Sequence, residues 1–107
     1  MPIMSRVRLH NRRASENFTF EHNGLRYTAT VSRFADGSIA EVFLSNGKCG
    51  SHSDAAARDS AVVCSIALQH GASVEVLRKA LLRDPRGVPA SPLGAALDFL
   101  IPQGGKS

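Results

Sequence analysis

The chain changes its hydrophobic period once, across Asn46-Gly-Lys-Cys-Gly-Ser-His-Ser-Asp54, and that change limits what it can fold into. Before it, apolar residues alternate with polar ones, the period of a half-buried strand. Phe18 and Phe20 alternate with Thr19 and Glu21, and Leu25, Tyr27, Ala29 and Val31 alternate with Arg26, Thr28, Thr30 and Ser32. Ile39–Leu44 is a third β-rich run. Asn23-Gly24 and Asp36-Gly37 supply the tight turns between the runs. A one-residue slip around Arg33-Phe34-Ala35 predicts a bulge. This half reads as a three-stranded antiparallel meander.

Beyond the change the pattern is helical. Ser51 or Ser53 can cap a long helix, with Asp54 at the capping-box position after Ser51. On a helical wheel Asp54, Arg58, Ser65 and Gln69 share one narrow stripe, and Ala57, Ala61, Val62, Val63, Cys64, Ile66 and Leu68 are among the apolar remainder. So narrow a polar stripe predicts a core helix packed on several sides. His70-Gly71 ends it. Ser73 then caps a helix over Val74–Leu82, and breakers fill Asp84–Ala90. Ser91-Pro92 opens a third helix that Pro102 stops, with small residues suited to close packing or a dimer seam. Strands and helices are segregated, so the class is α+β: a three-stranded antiparallel meander followed by three helices packed on one face.

At 107 residues the chain holds one core. The expected organisation is a mobile basic arm over 1–14, a folded unit over 15–101 and a frayed tail over 102–107. The net charge of +4 resides in Arg6, Arg8, Arg12 and Arg13, because the acidic and basic residues after them balance. Such an arm can contact phosphates, so nucleic-acid binding is one reading. The arm has no aromatics to interleave with bases, which argues against sequence-specific reading of single strands. No apolar run approaches the roughly 20 residues that span a bilayer. The opening residues lack the apolar core of a secretory signal, so a cytoplasmic setting is expected. Two cysteines and four scattered histidines form no metal-ligand spacing, so neither metal nor cofactor is expected.

The candidate contact surface is the turn itself, with Asn46, Gly47, Lys48, Gly50 and Ser51. A helix N-terminus carries unpaired N–H groups, Lys48 adds a full charge, and the glycines allow close approach, so a phosphate or nucleotide is one ligand class. The spacing fits neither a Walker A loop nor a dinucleotide fingerprint. Cys49 lies near the helix start with His52 three residues on, but no third group orients the pair, and no catalytic residue is assigned. Asp59 breaks the apolar arc and must be hydrogen-bonded, paired, with Arg26 or Arg33 as partners in reach, or exposed near the helix start. Asp36 and Asp98 read as isolated carboxylates.

The run Ile39-Ala-Glu-Val-Phe-Leu44, then Gly47-Lys-x-Gly50-Ser, an alanine-rich helix, Ala67-Leu68 and Gly71-Ala-Ser-Val74 resembles the TSCPD domain over roughly residues 17–100. That domain is the C-terminal module of vitamin-B12-dependent class II ribonucleotide reductases and is also met as short stand-alone proteins. The resemblance implies a link to deoxyribonucleotide metabolism and a reductase subunit as partner. The barrel, radical cysteine, reducing cysteine pair and cobalamin site that the large enzymes need have no room here. The implied role is a non-catalytic accessory or regulatory module; the alternative is a component of ribonucleoside-diphosphate reductase activity. A homodimer is a further expectation, through the third strand or the Ala/Gly helix face.

Overall fold

The computed structural model describes residues 15–101. Three strands, β1 (Ser15–His22), β2 (Leu25–Arg33) and β3 (Ile39–Ser45), precede three helices, α1 (His52–Gln69), α2 (Val74–Ala80) and α3 (Pro92–Phe99). The strands form one antiparallel sheet in the order β1-β2-β3, so the α+β arrangement is the observed one. Arg6, Arg8, Arg12 and Arg13, and the segments 1–14 and 102–107, lie outside the described residues.

Alternation sorts the side chains between two faces. Phe20, Tyr27, Ala29, Val31, Ala40, Val42 and Leu44 are buried on the inner face. Across from them lie Ala57, Ala61, Cys64 and Leu68 of α1, and Leu93, Ala96 and Leu97 of α3. Thr19, Arg26, Thr28, Glu41 and Phe43 stand exposed on the other face. The β1–β2 hairpin closes through Asn23 and Gly24 with φ of 52° and 79°, the positive pair that matches the twist of the strands. A bulge is present near the expected place but on the partner strand, as a register shift: Ser32 pairs with Glu41 and Arg33 with Ile39. The extra residue is Ala40 on β3, which is why the neighbours Ile39 and Ala40 are both buried.

All three serine caps form. Ser51 Oγ accepts from Asp54 N, Ser73 Oγ from Val76 N and Ser91 Oγ from Gly94 N, each at 3.1 Å. At the end of α1, Gly71 N donates to the Leu68 carbonyl and Ala72 N to the Ala67 carbonyl, a Schellman closure. The second helix is shorter than expected and ends at Ala80. Leu82–Ala90 instead folds into a small bridged turn, with Ala90 N on the Leu82 carbonyl and Arg83 paired with Pro89. The small residues of α3 are turned inward rather than offered as a seam. A Cβ on Gly94 would lie 3.1 Å from the Pro89 Cβ, a close approach at which Pro89 would have to give by a few tenths of an ångström.

The main departure from expectation concerns α1. Its polar stripe faces inward along the outer edge of β3, and Asp54, Ser65 and Gln69 are all buried. Ser65 Oγ accepts from Val42 N at 2.9 Å and donates to the Val42 carbonyl at 3.0 Å. Gln69 Nε2 donates to the Ala40 carbonyl at 3.0 Å. An edge strand presents unpaired backbone groups, and these side chains close them. Ser65→Ala should therefore cost about 1–3 kcal/mol, because it leaves the Val42 groups unsatisfied. Thermal denaturation of the variant checks this.

Candidate functional site

The strand-to-helix turn is tied to itself. Asn46 Oδ1 accepts from Lys48 N at 2.9 Å, and Asn46 Nδ2 donates to Ser53 Oγ at 2.9 Å. Gly47 N donates to Ser45 Oγ at 3.1 Å, and Ser51 N to the Lys48 carbonyl at 3.0 Å. Gly47 and Gly50 take φ of 78° and 86°, which other residues adopt only with strain. The expected residues Asn46, Gly47, Lys48, Gly50 and Ser51 thus form one loop, with Lys48 exposed in it.

The helix start already holds an anion. The Asp54 carboxylate accepts from Asn46 N at 2.8 Å and from Ser45 Oγ at 3.1 Å through one oxygen, and from Arg58 Nε at 2.7 Å through the other. The Asn46 N–H, then the Arg58 guanidinium, hold this carboxyl below its ordinary value of 3.8. The capping box is therefore half made: Asp54 N meets Ser51, but the Asp54 side chain turns back to β3 and the loop. Arg58 continues around the sheet edge, with its guanidinium carbon 5.3 Å from the centroid of the Phe43 ring. A shallow groove of about 250 Å³ follows, lined by Thr30, Glu41, Val42, Phe43, Val62 and Ser65.

Other candidates resolve differently. Cys49 is exposed, and among the described residues no hydrogen bond joins it to His52. Cys64 is packed in the core, and burial pushes its thiol up to about 11, which leaves it a protonated packing group. Arg33 binds Glu16 at 2.9 Å rather than Asp59, which stands exposed on α1. Asp98 is not isolated: Arg83 at 2.6 Å and Arg78 at 2.8 Å flank it and tie α2 and the following turn to α3. Arg83, then Arg78, hold its carboxyl below the ordinary value. Asp36 accepts from both the backbone and the hydroxyl of Ser38 and closes its turn. No group of three His, Cys, Asp or Glu residues is placed to hold a metal among the described residues. No helix among them is long and apolar enough to cross a membrane.

Sequence reasoning missed the outer surface of α1. Val62, Val63 and Ile66 are exposed there, and Phe43 is exposed beside it on β3. A signal was present: Ala57, Ala61, Cys64 and Leu68 recur at helical spacing and make a complete inward line of mostly small residues. Comparison with protein-family models, with curated proteins and with solved structures finds no match to this chain.

Proposed function

We propose that the chain is a non-catalytic accessory module akin to the C-terminal domain of class II ribonucleotide reductases, and that it contacts a protein partner through the loop Asn46–Ser51. One observation carries this reading: the Asp54 carboxylate already takes the Asn46 N–H of the loop, while Lys48 stands exposed on a loop whose bonds close internally. A phosphate seated within the loop would meet the Asp54 charge, whereas a protein surface need pair only with the exposed Lys48 side chain, so the loop suits a protein contact better than a nucleotide. A loop fixed before binding loses little conformational freedom on docking.

The test uses immobilised full chain and a class II reductase subunit that lacks its own C-terminal module. Retention by the wild-type chain is expected, with at least a tenfold loss in Lys48→Glu and no change in melting temperature. Equal retention by the variant, or nucleotide binding that Lys48→Glu removes, counts against the reading.

A further inference from the structure

The outer face of α1 is unlike that of a helix facing only water. Val63 is 67% exposed, Val62 52% and Ile66 39%. Over its 18 residues the helix carries three charged side chains, and two of them, Asp54 and Arg58, are committed to the β3 edge. The third is Asp59, on the exposed face. Adjoining exposed apolar residues on one helix face are suited to association.

At 3.6 residues per turn, Asp59, Val63, Ile66 and His70 follow one another along a single line, opposite the core line Ala57, Ala61, Cys64 and Leu68. The exposed line has an acid at its start, two apolar residues in its middle and an imidazole at its end. Turned end for end, it complements itself. An antiparallel copy with its twofold axis between Val63 and Ile66 sets Val63 against the Ile66 of the other copy. The same register sets Asp59 against the other His70, at both ends of the contact. An isologous interface requires this reciprocity, in which residue i meets j and j meets i. His70 Nδ1 lies 3.0 Å from the Ile66 carbonyl, which orients the ring and makes Nε2 the nitrogen that meets the carboxylate.

The two surfaces considered from sequence do not compete with this one. The β3 edge is closed by Ser65 and Gln69, and the Ala/Gly face of α3 is buried against Pro89 and the core. We propose that the outer face of α1 is the docking site for a second copy of this chain, through an antiparallel pairing of the two helices centred between Val63 and Ile66. The proposal stands apart from the loop contact, because α1 uses its opposite faces for the core and for the copy.

Sedimentation equilibrium of the full chain tests it, with circular dichroism as the control for folding. The wild-type chain is expected at twice its 11.4 kDa mass. Val63→Glu is expected to run as a folded monomer. Asp59→Lys should weaken the dimer at least tenfold, and adding His70→Glu should restore it by exchanging the two charges. A wild-type chain that stays monomeric at every concentration overturns the proposal and leaves the face to an unlike protein. A dimer that survives Val63→Glu overturns it as well, and a charge exchange without recovery overturns this register.

Discussion

Leu97→Ala is expected to destabilise the domain by about 2–5 kcal/mol, the range for deleting a fully buried leucine and leaving its cavity. Leu97 has no exposure, and it lies in the core between α3 and the inner face of the sheet. Domains of this size hold about 5–15 kcal/mol in all, so one substitution removes a large share. Each kcal/mol corresponds to a fall of about 4–8 °C in melting temperature for a domain of 60–100 residues. Calorimetry of the variant checks the size of the effect. A change below about 1 kcal/mol would mean that α3 is not seated on the sheet as described.

Asp54→Asn is the polar substitution expected to do most harm. The carboxylate joins β3, the loop and α1 through Ser45, Asn46 and Arg58, and an amide of the same shape presents one acceptor where two are used. The melting temperature at neutral pH should fall by several degrees, with the loss concentrated in the loop and the first turn of α1. The pH dependence follows from the direction of the shift. The folded-state value of Asp54 is depressed, so its stabilisation is complete above the unfolded value near 3.8 and is lost as pH falls through the folded value. Asp54→Asn should therefore lose less stability than the wild type on going from pH 5 to pH 2. It should not become insensitive to acid, because Asp84 and Asp98 are depressed as well, Asp84 first by the Val88 N–H and Asp98 first by Arg83. Parallel acid titrations followed by circular dichroism measure the difference. Identical acid profiles for the two proteins would remove Asp54 from its assigned role.

The strands, turns and helix caps were legible because each depends on local chemistry. Alternation in Leu25–Val31 determines a face, Asn23-Gly24 supplies the two positive φ values of its turn, and a serine before each helix offers an acceptor to the first turn. What was not legible is the rotation of α1 about its own axis. The narrow polar stripe predicts a helix packed on several sides, with its valines and isoleucine inside. The open edge of β3 reverses this, because Val42 and Ala40 need partners for backbone groups that no strand supplies. Ser65 and Gln69 meet that need at a cost of little volume, and Ala57 and Ala61 let the helix come close. Val62, Val63 and Ile66 are then left outward. A wheel drawn for one helix contains no sheet edge, so this competition is invisible to it. The loop joins β3 to α1 as the change of period predicts, but the destination of the Asp54 side chain depends on the same rotation.

Both proposed contact surfaces, the loop with Lys48 and the outer face of α1, depend on that rotation. The amide proton of Val42 reports it most directly, since it points away from β2 and towards Ser65. Hydrogen exchange resolved at single amides should find Val42 protected to the same degree as the amides bonded between β2 and β3. That protection should disappear in Ser65→Ala while the β2–β3 amides keep theirs. Rapid exchange at Val42 in the wild-type chain would contradict the account, for it would mean that the edge of β3 is open and that α1 turns a different face inward.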